Sequence, residues 1–320
     1  MQEIIQVIAP QIKQFEEYFQ KEFRSEVPLL DRILGYIERR KGKQMRPAFV
    51  LLSAALNGSI NESSFRAATF VEMIHNSSLI HDDIIDDANE RRGAFSINAL
   101  WKNRIATFAG DNLFTKSILL LLDHGDHTIL KIYADSIDRI IKGELVQIEK
   151  SKKLNLKEDV YFDIIKGKTA TLLAASCAAG AASSTSDESA ISRMYNFGEK
   201  TGIAFQIKDD LLDYANDDIG KPTRNDIKEK KVTLPLLFTI NNCSAPMRRQ
   251  LLHIVKHQNT DPESVEYLVG QVIQHGGIQY AEEKMKLFRN DAIDILGQFP
   301  EGPVRKSLEG LVHFVTDRSY

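Results

Sequence analysis

The chain has 320 residues and a mass of 36.2 kDa, with 41 Lys and Arg against 44 Asp and Glu, a formal net charge of −3. Its 43% hydrophobic and 27% charged content is ordinary globular usage. That excludes a disordered chain, a collagen-like repeat and a generally basic nucleic-acid binder.

Taken in chain order, the N-terminal stretch MQEIIQVIAPQIKQFEEYF reads as an amphipathic helix with charges throughout, not as a signal peptide. Apolar residues then recur at i, i+3, i+4 and i+7 over 62–87, 104–123, 127–149, 158–182 and 187–214, the period of helices. Asn61 is placed to cap the helix starting at Glu62. The 158–182 helix is rich in small residues (Ala174, Ala175, Ala178, Ala179, Gly180), which suits a buried contact between close helices. A polar loop follows at 215–230. Asp261 then reads as an N-cap with Pro262 at the first helical position, and Gly276-Gly277 ends that segment. Alternating β-branched runs are nearly absent. The longest uncharged run, Thr169 to Ser186, is mostly Ala, Ser and Thr, too weakly apolar for a membrane span. Cys177 and Cys243 cannot build a disulfide framework and suit a reducing compartment. With no linker and no repeat, the pattern predicts about a dozen helices in one all-α domain over 1–320, a cytoplasmic protein.

Two acidic clusters sit inside apolar helices. In SSLIHDDIIDD, Asp82 and Asp86 are four apart and share a helix face with Asp83 beside them, while Leu79, Ile80, Ile84 and Ile85 should point to the core. FQIKDDLLDY repeats the design 127 residues later with Asp209, Asp210 and Asp213. Crowded carboxylates beside core residues are unfavourable unless a cation neutralises them. Oxygen ligands with open positions suit Mg²⁺, which keeps waters and shares its shell with substrate phosphates. Two such clusters facing each other describe a diphosphate held by several Mg²⁺ ions.

Basic residues answer them: Lys41, Lys43 and Arg46 in a Gly-containing turn, Arg91 and Arg92 just after Asp86, Lys166 and Lys168 around Gly167, and Lys221, Lys230 and Lys231 after the second cluster. Arginine grips phosphate bidentately and lysine acts as a point charge. His75 and His81 have no zinc-spaced partner, and there is no nucleophile elbow, G-x-G-x-x-G or P-loop.

Together GKQMRP, HNSSLIHDDIIDDANERRG, GKT, FQIKDDLLDY and GKPTRNDIKEKKVTLP resemble, in order over about 40–240, the trans-isoprenyl diphosphate synthases. The ending FVTDRSY is also similar. The resemblance implies a helical isoprenoid-synthase bundle with a central substrate cavity. It implies a prenyltransferase that joins an allylic diphosphate, such as farnesyl diphosphate, to successive isopentenyl diphosphates. Carried over by position, Asp82, Asp83, Asp86, Asp209, Asp210 and Asp213 would hold two or three Mg²⁺ ions per site, and Lys168 would act with them in catalysis. Arg91, Lys168, Thr169, Gln206, Lys221 and Lys231 would contact the allylic diphosphate. Gly42, Lys43, Arg46, His75 and Arg92 would hold isopentenyl diphosphate. Two departures stand out: Lys41-Gly42 replaces a usual pair of glycines, and Arg224 stands where a glycine usually follows G-K-P-x.

The family mechanism implies ionisation of the allylic C–O bond, with cations stabilising the leaving diphosphate. The tail must run between helices, and Ser77 and Ser78, one turn before Asp82, leave the channel open where short-chain members carry a bulky aromatic. That predicts an all-trans product of about thirty to forty-five carbons in a deep pocket. A deeper floor would come from Phe114, Leu119, Leu122 or the 127–149 helix. The resemblance also implies a homodimer, with product passed to membrane enzymes. The alternatives are a short-chain farnesyl or geranylgeranyl synthase, a terpene cyclase, or the catalytic or a regulatory subunit of a heteromeric synthase. A cyclase needs no isopentenyl diphosphate pocket, and a regulatory subunit would lack aspartates that are all present here.

Overall fold

A computed structural model describes residues 1–40, 42, 44–91, 93–151, 157–215 and 224–317. Lys41, Lys43, Arg92 and Lys221 lie outside the described residues.

The described chain is all-α apart from one small hairpin. The first helices are α1 (Ala9–Glu22), α2 (Pro28–Glu38), α3 (Met45–Asn57) and α4 (Glu62–Ile85). Two short strands, β1 (Glu90–Arg91) and β2 (Ala94–Phe95), precede α5 (Ile97–Trp101), α6 (Asn103–Leu122) and α7 (His127–Ser151). Then come α8 (Glu158–Ile165), a π-helical turn at Lys166–Ala170, α9 (Thr171–Ala182) and α10 (Glu188–Leu212). The remainder is α11 (Asn225–Lys228), α12 (Leu234–Asn242), α13 (Ala245–His257), α14 (Pro262–Gln274), α15 (Gly277–Leu296) and α16 (Pro303–Thr316).

Local chemistry sets many boundaries. Asn61 accepts from Ser64 N–H and Ser64 returns the bond, a reciprocal cap for α4. Asp261 accepts from Ser264 N–H, with Pro262 opening α14. Gly276 is left-handed at φ 76°, but the pair of glycines is a turn between helices, since Gly277 already belongs to α15. The helix read over 158–182 is interrupted by the π-turn, and two further features depart from the sequence reading. Glu90–Arg91 pair antiparallel with Ala94–Phe95, Arg91 opposite Ala94, with Gly93 at φ 71°. The polar loop after α10 contains α11.

The chain divides into two compact units. The first comprises Met1–Asp135, Ala175–Tyr195 and Gly302–Leu308; the second comprises Ser136–Ala174, Asn196–Glu301 and the described residues from Glu309. In the first unit Leu34, Phe49, Leu52, Phe70, Met73 and Leu113 are fully buried. Burial of each such side chain stabilises by about 1.5–3 kcal/mol. Tyr133 stacks on Phe70 at 4.5 Å and donates to Ala67 O at 3.0 Å. The small residues of α9 are buried as expected. A Cβ on Gly180 would overlap Val50 O of α3 and lie 2.9 Å from Ser53 Cβ. α6 is long and apolar enough to cross a membrane; Ala106, Ala109, Gly110, Leu113, Leu120 and Leu121 pack one face of it in this unit, while Phe108, Phe114, Leu119 and Leu122 are exposed.

The second unit has its own core around Ile203, Ile207, Leu234, Leu236, Leu251, Leu268 and Val272. Here α10 crosses the start of α9 at backbone distance. A Cβ on Gly198 would lie 2.7 Å from Ala174 Cα, and one on Gly202 would lie 2.5 Å from Ala170 Cα.

Candidate active site

The first aspartate motif lies at the C-terminal end of α4, in the first unit. Asp82 is exposed, Asp86 is the exposed C-cap, and Asp83 is turned inward at 3% exposure. Burial of one carboxylate demands a partner, and Arg91 supplies it: Nε to Asp83 Oδ1 is 2.6 Å. Arg91 reaches back because the hairpin returns the chain toward α4. Ser96 holds that return by donating to Ala88 O at 2.6 Å and capping α5 at Ala99 N–H. Arg91 is therefore an ion-pair partner of the motif. Ile80 is buried as expected, but Ile85 is 79% exposed because α4 ends there and its last turn leaves the core.

His75 is half-buried on α4, Arg46 half-buried in the first turn of α3, and Gly42 half-buried just before it. A cavity of about 70 Å³ opens beside this motif, lined by Tyr36, Arg40, Asn76, Asp83, Arg91 and Phe95 among others. The two serines separate. Ser77 is 2% exposed and donates to Gly110 O of α6 at 2.8 Å, so its small size serves close packing of α4 on α6. Ser78 is exposed and shares a helix face with Asp82. Ser77 thus lies between α4 and α6, whereas Ser78 faces outward from α4.

The second motif ends α10, in the second unit, on a cavity of about 120 Å³. Lys168, Thr169, Gln206, Asp210 and Lys231 all line it, joined by Tyr161, Asp226, Gln147 and Thr233. Lys168 and Thr169 ride on the π-turn, a wide turn of the kind often found at functional sites. The Lys166 carbonyl accepts the Thr171 N–H that closes this turn and also Thr171 Oγ1 at 2.6 Å. Gly167 comes close to Gly143 of α7, and Lys168 Nζ reaches Glu144 Oε1 of the same helix at 2.8 Å.

Asp210 is 4% exposed. Its Oδ2 accepts from Tyr161 Oη at 2.7 Å and Leu234 N–H at 3.3 Å, and its Oδ1 from Gln206 Nε2 at 3.1 Å. Gln206 Oε1 accepts from Thr169 Oγ1 at 2.8 Å. Burial still pushes the Asp210 carboxyl up to about 7, against the lowering effect of these donors. Asp213 is pushed up to about 6, by burial first and then by Asp226. Its two oxygens accept from the N–H groups of Asn225 and Asp226, so this aspartate starts α11. Burial also raises the Asp226 carboxyl, although Lys231 Nζ stands 3.6 Å away. Asp209 is half-buried beside them.

Among the described residues no three His, Cys, Asp or Glu side chains converge on one point. The donors around the two motifs are carboxylate oxygens, some crowded and desolvated. They suit a hard cation that takes few protein ligands and completes its shell with water and phosphate oxygen, so Mg²⁺ fits.

Among the described residues, four of the five non-glycine positions with positive φ lie near these sites, Lys102 before α6 being the fifth. Gln44 (φ 49°) precedes α3, Asp87 (φ 48°) follows the first motif, and Arg224 (φ 68°) and Lys230 (φ 59°) flank α11. Left-handed geometry at Arg224 explains why glycine is the usual residue there. Arg224 is held by Glu266 at 2.8 Å.

Several lining residues were not foreseen. Tyr161 lies seven residues before Lys168, two turns along a helix, which is a usable signal. Asp226 lay within the quoted motif. Gln147 carries no local sign, nor does Glu144, the partner of Lys168 outside the lining.

A polyprenyl synthetase family profile matches residues 27–272. Heptaprenyl diphosphate synthase component 2 of Bacillus subtilis is 32% identical, covering 95% of this chain and 87% of that one. Octaprenyl diphosphate synthase of Haemophilus influenzae is 30% identical, over 99% and 97%. Among solved structures, decaprenyl diphosphate synthase of Rhodobacter capsulatus superposes with a TM-score of 0.91 at 28% identity, over 99% of both chains. A polyprenyl synthase of Caulobacter crescentus, complexed with calcium and isoprenyl diphosphate, gives 0.88 at 28% identity, over 99% and 97%. The chain belongs to the polyprenyl synthetase family, enzymes that transfer prenyl groups, and has their helical fold.

Proposed function

We propose that the protein is a Mg²⁺-dependent synthase of a long-chain all-trans polyprenyl diphosphate, of about thirty to forty-five carbons. The observation that carries this reading is the cavity of the second unit, where Lys168, Thr169, Gln206, Lys231 and Asp210 line one small space. Ammonium groups and desolvated carboxylates around one cavity suit a metal-bridged diphosphate. Asp82, Asp83 and Asp86, with Asp209, Asp210 and Asp213, would hold the metal; when bound, it stabilises charge on the departing diphosphate. Lys168 and Lys231 bind the allylic diphosphate together with Arg91 and Lys221. Gly42, Lys43, Arg46, His75 and Arg92 hold isopentenyl diphosphate, whose double bond attacks the allylic carbon once the C–O bond has ionised. The departing diphosphate takes the proton that restores the alkene.

The growing tail passes the exposed Ser78. The whole chain acts as one cytoplasmic domain, paired as a homodimer, and hands its product to membrane enzymes. A second reading, a catalytic subunit needing a partner, is favoured by the component 2 of Bacillus subtilis at 32% identity. Purified protein is incubated with farnesyl diphosphate, isopentenyl diphosphate and Mg²⁺, and products are resolved by chromatography. Elongation past geranylgeranyl length is expected. No elongation, with or without a partner protein, would overturn the reading.

A further inference from the structure

We infer that Tyr161 is a positioning residue for diphosphate recognition, acting through Asp210 to fix the amide of Gln206. The inference rests on the diphosphate-binding reading above. The chain of bonds is continuous and directional. Tyr161 Oη and Leu234 N–H both donate to Asp210 Oδ2, which fills its two lone pairs. The carboxylate plane is thereby fixed, and Oδ1 is presented to Gln206 Nε2 at 3.1 Å.

An acceptor facing Nε2 sets the flip of the amide, so Gln206 Oε1 points to Thr169 and takes its hydroxyl proton at 2.8 Å. From this wall the cavity offers one remaining N–H of Gln206 as a donor. The Thr169 oxygen keeps only acceptor capacity. A diphosphate carries acceptors alone, so the orientation of that single amide decides whether this wall attracts or repels it. Reversed, Gln206 would present its carbonyl oxygen where a donor now stands.

Tyr161 is suited to the task by where it sits. It is 5% exposed, and its ring meets Phe162 edge-on at 5.3 Å. Its position on α8 therefore does not depend on ligand. Without its hydroxyl, Asp210 Oδ2 keeps only the longer bond from Leu234 N–H. Carboxylate rotation about the last torsion is soft, so the hold on Gln206 weakens.

The test is a double-mutant cycle read by calorimetric titration with inorganic diphosphate in Mg²⁺, alongside melting temperature. Tyr161→Phe and Gln206→Leu are each expected to weaken binding about tenfold, the loss of one charge-assisted bond. The double variant should bind no worse than the weaker single, because both act on one link. The Tyr161→Phe variant should melt close to the wild type, which separates lost recognition from lost packing. Additive losses, or a Tyr161→Phe affinity within twofold of wild type, would overturn the inference. If the wild type binds no diphosphate at all, the functional reading fails with it. If the wild type binds and the cycle is additive, only the role of Tyr161 fails.

Discussion

Asp210→Asn should stabilise the metal-free protein at pH 8 while weakening its hold on diphosphate. Burial holds the Asp210 carboxyl at about 7 against an ordinary 3.8. The folded chain therefore binds this proton more tightly than the unfolded chain does. For such an acid the folded state loses stability as pH rises from about 4 to about 7, and the loss is complete above that. At about 1.4 kcal/mol per pH step the penalty is about 4 kcal/mol at pH 8 and between 1 and 2 kcal/mol at pH 5. Asparagine is isosteric and carries no charge to desolvate. Its oxygen takes the place of Oδ2 and keeps the donors Tyr161 and Leu234 N–H. Its NH₂ then faces Gln206, whose amide turns over, and the Thr169 hydroxyl rotates to accept. No buried polar atom is stranded. Melting in EDTA should rise by roughly 5–10 °C at pH 8 and by about a third as much at pH 5. A variant no more stable than wild type at pH 8, or equally stabilised at both pH values, would refute the reasoning.

Asp82→Ala should abolish turnover with the circular dichroism of the helices unchanged; retained activity would remove Asp82 from the machinery. Ser78→Phe should fold normally and shorten the product, whereas Ser77→Phe should melt early, since Ser77 is packed on Gly110. Chromatography and melting curves separate the two, and equal behaviour would sink the distinction. Gly180→Ala should cost about 1–3 kcal/mol by overpacking against Val50 and Ser53. Denaturant unfolding checks this, and an unchanged midpoint would show that α3 and α9 can part freely.

What the sequence made legible was what short-range chemistry decides. The caps at Asn61 and Asp261 depend on residues three positions away, and both form as read. The aspartate motifs are patterns within one helix, and their presence at the ends of α4 and α10 follows from the 3.6 period. The inward turn of Asp83 was not legible, because it depends on Arg91 returning through a hairpin too short to show strand alternation. The partner of Tyr161 lies 49 residues along the chain. α11 escaped notice because a four-residue helix has no period; the Asp213 carboxylate, twelve residues earlier, starts it. Ser77 and Ser78 look alike in sequence, and only the helix packed beside them distinguishes buried from exposed.

The π-turn at Lys166–Ala170 has a consequence for how this stretch tolerates change. A wide turn carries one residue more than an α-helical turn would, so α9 starts about 100° out of phase with a straight continuation of α8. Deleting a single residue would let the two helices fuse into one smooth rod. The same deletion would rotate Ala170 and Ala174 away from Gly202 and Gly198, where α10 closes to backbone distance. Larger side chains would swing into a gap that has no room for them. Between Tyr161, bonded to Asp210, and Ala174, packed on Gly198, the segment cannot change in length.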